Sequence, residues 1–482
     1  MHLHPSADWD FVRDRFRHIW GYDNFRAPQG EIIQSLLTQQ DALIVMPTGG
    51  GKSVCFQLPA LLRHGLTLVV SPLVALMENQ VQDLRQRRQP AALLHAELSV
   101  QQRKRTLWEL ENQRLRLLYL SPETLLSPPV WQRLCQPNLL INGLVLDEAH
   151  CLALWGEAFR PAYRRLGAAR LALQQTQPAG EKLPIAAFTA TADPQTQQII
   201  QQGLQLNQPQ VFLQNPYRAN LSLGTQIVWT ARARRQRLLR FIQERSQQAG
   251  LVYVRTRREG EELASWLTQQ GFQTAAYHAG LNPADRRRLE ADWLTGSLQF
   301  VVCTSAFGMG IDKPACRWVV HFHAPLLLSE YVQEVGRAGR DGKPAQALTL
   351  ISEPTGWLDA SDKQRQQFFQ RQMQQQRQQA QAIVHQLPPQ GSIQSAIQQF
   401  PTGAIALSLL HSNGQLSWQD PFHYTIERAA IQPSSQLKAT AQMRQYLYSK
   451  RCRWRFLLDA FGFEQDAEAL GQCGHCDRCR KP

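Results

Sequence analysis

Long apolar runs are missing from this sequence. None approaches the roughly 18 residues that a membrane-spanning helix requires, so no membrane partner is expected. Met1 to Asp10 hold no basic segment followed by an apolar stretch, so no secretory signal is expected and the expected compartment is the cytoplasm, with the nucleoid. Acidic residues are also in deficit, 38 against 52 Lys and Arg, which leaves a net charge of +14. That imbalance favours a polyanionic partner, because each phosphate neutralised by a cation releases condensed counterions. The plainer alternative is a basic surface that serves solubility. Arg carries most of the positive charge, and its planar fork suits bidentate contacts to phosphate. Cysteine is thin along most of the chain, at Cys55, Cys135, Cys151, Cys303 and Cys316, but four more crowd the last 31 residues. In a reducing compartment such a cluster points to metal before disulfides. Charged residues at 19% and hydrophobic ones at 43% exclude a disordered chain, and 482 residues give room for roughly two to four domains.

From about Asp41 to Gln214, short apolar runs alternate with helical stretches. Strands are expected at 42–46, 67–71, 91–95, 117–120, 144–147 and 185–189. A second set follows from about Tyr217, with strands expected at 251–254, 274–277, 300–303, 318–321 and 347–351. Alternating strands and helices imply a parallel sheet covered on both faces, so the fold class is α/β with two doubly wound domains in tandem. Their strand ends are expected to form one ligand cleft. The expected domain ranges are 1–214, 215–353, 354–440 and 441–482. The third is rich in Gln and Arg between Ser361 and about Gln390, then carries a helical run, Ala404–Leu410, and an Asn413-Gly414 turn. A helix plus hairpin there suggests a small winged-type module. The fourth is expected to hold an Arg-rich helix over 443–461 and the Cys cluster.

Strand 42–46 runs into Met46-Pro47-Thr48-Gly49-Gly50-Gly51-Lys52-Ser53. This pattern is a phosphate loop, although the strict form has Gly where Met46 stands. Thr48, Gly49, Gly50 and Gly51 let backbone amides turn around phosphates, and a helix N-terminus adds positive potential. Lys52 is expected on the β- and γ-phosphates of ATP, and Ser53 on Mg²⁺. Asp147 and Glu148 end an apolar strand 95 residues after Lys52. Adjacent carboxylates in that position suit Mg²⁺ and an attacking water, with Asp147 on the metal and Glu148 on the nucleophile. An isolated Asp-Glu pair is more often a solvated turn; the buried strand before it decides for catalysis.

The run Asp147-Glu148-Ala149-His150 and the phosphate loop together resemble superfamily-2 helicases, and further segments resemble the RecQ family of DNA helicases. Gly21-Tyr22 and Phe25-Arg26-Ala27-Pro28-Gln29 resemble that family's adenine-recognition motif. By this resemblance Tyr22 stacks on the base while Arg26 and Gln29 bond near it. Phe188 to Asp193 resembles motif III, Phe307 to Asp312 motif V, and Tyr331 to Arg340 motif VI. The last implies nucleotide contact by Gln333 and arginine fingers at Arg337 and Arg340. Trp155 to Tyr163 is similar to the family's aromatic-rich loop, which implies DNA contact by Trp155, Phe159 and Arg160. Trp155 and Phe159 are also spaced as helix core residues, and Phe159 stays open on that ground. Ser71-Pro72 and Ser121-Pro122 resemble strand-to-helix turns that grip a nucleic-acid backbone.

Cys473, Cys476 and Cys479 stand at two-residue gaps, and Cys452 lies 21 positions before the first. Four thiolates match a closed tetrahedral Zn²⁺ site, with His475 as an alternative ligand. The resemblance implies the four cysteines and a structural zinc. It also implies two RecA-like domains followed by a small helical zinc-binding domain, and 3′-to-5′ unwinding of DNA in recombination and repair. The expected partner is single-stranded DNA or duplex with a single-stranded tail. The interval from Arg340 to Cys452 is longer than the family pattern, so part of it reads as an insertion. Up to Pro482 no winged-helix or helicase-and-RNase-D module of the longer members is expected after the cysteine cluster. A DNA-stimulated ATPase that translocates or anneals without unwinding is the alternative activity, and an RNA helicase is a further one.

Overall fold

A computed structural model describes residues 9–153, 160–307, 313–427 and 436–480, save the side chains of 377 and 436–439. The chain divides into two compact units. The first comprises Met1–Met46, Gly50–Gln214 and Arg371–Pro433; the second comprises Pro47–Gly49, Asn215–Gln370 and Ser434–Pro482.

The first unit is built on β1 (Ala42–Val45), β2 (Leu66–Val70), β3 (Ala91–Leu94), β4 (Leu117–Leu120), β5 (Ile141–Leu146), β6 (Ile185–Thr189) and β7 (Gln210–Leu213). All pairings are parallel, in the order β3-β4-β2-β5-β6-β1-β7. Both faces are covered, so the central strands are near-continuous apolar runs. Successive side chains in β1 serve opposite cores: Leu43 and Val45 join Leu68 and Leu144, while Ala42 and Ile44 join Val69 and Val145. Each fully buried Leu or Ile contributes about 1.5–3 kcal/mol. Parallel strands end on one edge of the sheet, and there the loops after β1, β5 and β6 converge.

The second unit contains β8 (Leu221–Val228), β9 (Gly250–Tyr253), β10 (Thr274–Tyr277), β11 (Phe300–Cys303), β12 (Trp318–His321) and β13 (Ala345–Ser352). They too are parallel, ordered β10-β11-β9-β12-β13-β8. Leu251 and Tyr253 face one core and Val252 and Val254 the other. Two strands were not anticipated. β7 is an exposed edge strand, and β8 carries polar residues at its sheet margin, so neither shows an apolar run. The expected helix over 443–461 is two helices, Gln436–Tyr448 and Arg453–Ala460, with Cys452 as N-cap of the second. The break turns the Cys452 sulfur toward the other three.

Helix Ser361–Val384 leads from the second unit into the first. A small antiparallel sheet follows, made of β14 (Gln390–Ser392), β15 (Leu416–Trp418) and β16 (His423–Ile426) in the order β14-β16-β15. Helices Ile393–Gln399 and Gly403–Ser412 lie between β14 and β15. The Asn413-Gly414 turn joins the second helix to β15, with Gly414 at φ 68°. No described helix is long and apolar enough to cross a membrane.

Candidate nucleotide and nucleic-acid site

In the first unit, β1 delivers the phosphate loop. Gly49 and Gly51 adopt φ 86° and 78°, which L side chains rarely adopt, and Gly51 opens helix Lys52–Leu62. A Cβ on Gly51 would lie 2.3 Å from Nε2 of Gln29. The Gln29 amide donates to the Gly50 carbonyl at 3.0 Å, while its Oε1 accepts from the Arg26 amide at 2.9 Å. Gln29 is therefore buried against the loop, whereas Tyr22 and Arg26 are exposed. Lys52 Nζ is buried and has no hydrogen-bond partner among the described residues. An unpaired ammonium in a glycine cradle at a helix N-terminus fits a nucleotide phosphate. Ser53 is half-buried in the first turn of the same helix.

β5 places Asp147 and Glu148 on the same sheet edge. The Asp147 amide donates to Val70 at 2.8 Å, and its Oδ1 accepts from the Glu148 amide at 3.0 Å. Burial, and then the Glu148 carboxylate, push the Asp147 carboxyl well above the ordinary range, while Lys52 pulls it down. A bound cation would complete that pull, so the residues present fit Mg²⁺. Glu148 sits at φ 51°, a strained conformation for a non-glycine residue that costs about 1–3 kcal/mol. His150 links the Glu148 carboxylate to β6, with Nδ1 3.2 Å from Glu148 Oε2 and 3.1 Å from Thr189 Oγ1. Thr189 belongs to the segment Phe188 to Asp193, which thus reaches the Glu148 carboxylate through His150.

Of the five expected nucleic-acid residues of this unit, three are described: Ser71, Pro72 and Arg160. Ser71 and Pro72 are buried at the end of β2, and Ser71 Oγ has no partner among the described residues. Trp155 and Phe159 lie outside the described residues, as does most of Phe307 to Asp312 in the second unit. Arg160 is described, with Nη1 3.4 Å from Glu123 Oε2. Ser121 accepts from the Thr124 amide at 3.2 Å as a helix cap, which occupies its hydroxyl locally.

In the second unit, helix Leu328–Val335 carries half-buried Gln333, and Arg337 and Arg340 follow it. The turn that presents them is pinned from behind. Arg218 Nη1 donates to the Gly336 carbonyl at 3.1 Å, and Asn220 donates to the Gly339 carbonyl at 2.7 Å. Gly339 has φ 64°, and a Cβ there would meet Asn220 Nδ2 at 2.6 Å. The helix itself is fixed by Glu334. Arg255 grips that carboxylate with both ends of its fork, at 3.0 and 2.8 Å, and His321 Nε2 lies 2.8 Å from Oε2. Burial works to raise the Glu334 carboxyl, but Arg255 and His321 overcome it and hold it at about 2. Burial keeps His321 below its ordinary value, against the pull of Glu334. Arg218, Asn220, Arg255 and His321 were not anticipated from the sequence. Their partners are distant in the chain, and a lone Arg or His carries no spacing signal.

Replacing Glu334 by Gln should lower the unfolding free energy by about 3 kcal/mol, because it strands a buried guanidinium. The acid dependence carries the sign. A carboxyl held below its unfolded value of 4.5 stabilises above that pH, and the contribution is lost between 4.5 and about 2. His321, held below 6.5, adds to the loss on acidification, because the unfolded chain takes up its proton first. Thermal unfolding across pH should therefore show a flatter acid limb for Glu334→Gln; an unchanged limb would remove Glu334 from this role.

The four terminal cysteines form one cluster in the second unit, with all four sulfurs within 4.8 Å of one another. Sulfur separations of 3.5, 3.9 and 4.0 Å match the edge of a tetrahedron with zinc–sulfur bonds of about 2.3 Å. Amides of Arg453 and Cys473 each point at a cluster sulfur, at 3.5 Å. His475 turns instead to the Cys473 carbonyl through Nδ1, so the ligand set is the four cysteines. Fully buried Arg453 binds Asp477 at 2.9 and 3.0 Å, and the Asp477 amide donates to Leu223 of β8 at 2.9 Å. The Trp454 indole donates to Leu221 at 3.0 Å.

A parallel sheet with a phosphate loop and paired carboxylates, a second parallel sheet with an arginine-bearing turn, and a four-thiolate knot define a nucleotide-driven motor with a metal-bound appendix. The comparisons with known proteins agree. Residues 26–199 match the DEAD/DEAH box helicase family, 233–342 the helicase conserved C-terminal domain, and 419–480 the RecQ zinc-binding family. An ATP-dependent DNA helicase RecQ from Synechocystis is 53% identical over 98% of this chain and 99% of its own. A probable ATP-dependent DNA helicase RecS from Bacillus subtilis is 39% identical over 69% of this chain and 65% of its own. Among solved structures, a Mycobacterium smegmatis helicase Lhr bound to single-stranded DNA and AMP-PNP covers 90% of this chain and 61% of its own. At 18% identity and a TM-score of 0.58, it shows the fold alone. The chain belongs to the RecQ family of ATP-dependent DNA helicases.

Proposed function

We propose that the protein hydrolyses ATP to move 3′ to 5′ along single-stranded DNA and to separate duplexes that carry a single-stranded tail. The observation that carries this reading is the buried, unpaired ammonium of Lys52 on the sheet edge that also bears Asp147 and Glu148, in a chain of this family. Lys52 and the amides of Thr48 to Gly51 bind the phosphates. Tyr22, Arg26 and Gln29 hold the base, and Gln333 assists at the nucleotide. Ser53 and Asp147 hold Mg²⁺, which when bound offsets phosphate charge. Glu148 orients and deprotonates the attacking water, while Arg337 and Arg340 stabilise charge on the γ-phosphate in the transition state. Trp155, Phe159 and Arg160 contact DNA, and Ser71-Pro72 grips its backbone. We assign the ranges 1–214 and 215–353 to the two motor domains, 354–440 to a winged-type insertion and 441–482 to the zinc domain, and place the protein with DNA in the cytoplasm.

The test is ATP-driven strand displacement on duplexes with a 3′ or a 5′ single-stranded tail. Displacement from the 3′ tail alone is expected. ATP hydrolysis without displacement from either tail would replace unwinding by translocation or annealing, and absent hydrolysis would overturn the reading.

A further inference from the structure

The segment from β14 to β16 has the element order of a winged helix, in which the second helix normally enters a DNA groove. Two observations exclude that use here. Between Arg377 and Arg428 there is no Lys or Arg in an otherwise basic chain, and the charged residues of that stretch are Asp420 and Glu427. A DNA-gripping surface needs cations for phosphate, and this one has none. The second helix, Gly403–Ser412, is moreover apolar, with Ala406, Leu407, Leu409 and Leu410 buried.

What those side chains cover is the first unit itself. Leu407 and Leu410 share a buried cluster with Ala168 of helix Leu166–Gln175. At the hairpin tip, the Phe422 ring meets Trp131 edge-on at 5.4 Å, and the Pro421 carbonyl accepts from Arg165 Nη1 at 3.0 Å. His411 lies beside buried Arg164; burial, then that guanidinium, take its pKa down to about 4, so the contact is between a neutral ring and a cation. Arg164 and Arg165 belong to the 3-10 turn Pro161–Arg165. The same turn holds fully buried Tyr163, whose hydroxyl is 3.5 Å from the Asp147 carbonyl oxygen. One short turn thus connects the inserted segment on one side to the hydrolytic strand end on the other.

We propose that residues 390–426 form an internal brace that fixes the turn Pro161–Arg165, and through it the Asp147 strand end, so that DNA binding is transmitted to hydrolysis. Phe422 and Arg165 are its positioning residues. The coupling part rests on the ATP-driven activity proposed above; the bracing part does not.

The test uses the full chain with Phe422→Ala, with Phe422→Tyr as the conservative control. Amide hydrogen exchange should rise at least about 5-fold over 161–173 in Phe422→Ala and return toward the parent rate in Phe422→Tyr. DNA-stimulated kcat should fall by about 5- to 10-fold, while basal kcat and DNA affinity stay within about 2-fold. Unchanged exchange over 161–173 overturns the brace whatever the enzyme does. A parallel fall of basal and stimulated turnover, with exchange raised everywhere, makes Phe422 merely structural and also overturns it. A second variant joins Gln394→Glu to Gln398→Glu on the exposed face of helix Ile393–Gln399. DNA affinity should be unchanged; a loss of more than about 5-fold would make the segment a DNA-contacting surface and end the proposal. Absence of any ATP turnover in the parent chain would strike the function proposed earlier and the coupling, and leave exchange to decide the brace.

Discussion

Lys52→Ala lowers ATP turnover on the order of 10³-fold, with DNA affinity retained to within about 3-fold. Two effects add. The substitution removes the buried ammonium of the glycine-rich loop, which is the one basic side chain from Met46 to Ser53. It also removes the charge that draws the Asp147 carboxyl down toward its ionised form. Without Lys52, burial and Glu148 act on Asp147 unopposed from that side, so its hold on a divalent cation weakens as well. DNA affinity survives because Lys52 Nζ is buried in the nucleotide cradle. Steady-state ATP hydrolysis with and without single-stranded DNA, next to equilibrium DNA binding, checks both halves. Turnover within 10-fold of the parent would refute the phosphate-loop assignment.

Removing zinc has a comparable effect on folding. A structural four-cysteine site contributes about 10–16 kcal/mol of apparent binding free energy at neutral pH. Here that energy holds Cys452 at the start of helix Arg453–Ala460 and the cysteine-bearing turn beneath it. Arg453, Trp454 and Asp477 then tie the assembly to β8. Once the cation is gone the sulfurs take up protons and no metal bond holds them within 4.8 Å of one another, so the knot opens rather than remaining as an empty cage. Chelation, or Cys476→Ser, should release one zinc per chain and unfold the region 441–480, read as a lost unfolding transition and protease cleavage there. A cleavage pattern unchanged after zinc release would show that the packing on β8 suffices without metal.

The sheets were legible because parallel strands buried on both faces are apolar runs, and ten of the thirteen strands in the two large sheets fall within two residues of expectation at each end. β5 begins three residues early, at Ile141, because Asn142 and Gly143 interrupt its apolar run. β7 and β8 escaped because edge strands need no such run. The phosphate loop and the Asp147-Glu148 pair could be read because their chemistry demands neighbours in sequence. The groups that hold them in place could not. Arg255 and Glu334 are 79 residues apart, and Arg218 meets Gly336 across 118. The helix-plus-hairpin part of 354–440 was visible from a helical run and an Asn-Gly turn, but what its apolar helix covers became clear only in three dimensions.

β8 closes one side of the second sheet, and among the described residues it has no strand neighbour beyond β13. Its outer backbone groups are met by the zinc-bearing turn: the Leu223 carbonyl accepts from the Asp477 amide and the Thr225 amide donates to the Asp477 carboxylate at 3.1 Å, while the Ser222 hydroxyl donates to the His475 carbonyl. The metal thus serves as a stopper on an open sheet margin. A chain stripped of zinc presents a ladder of unmet amides and carbonyls to any second molecule. Light scattering during the same chelation experiment should rise with protein concentration, as the opened margin pairs between molecules.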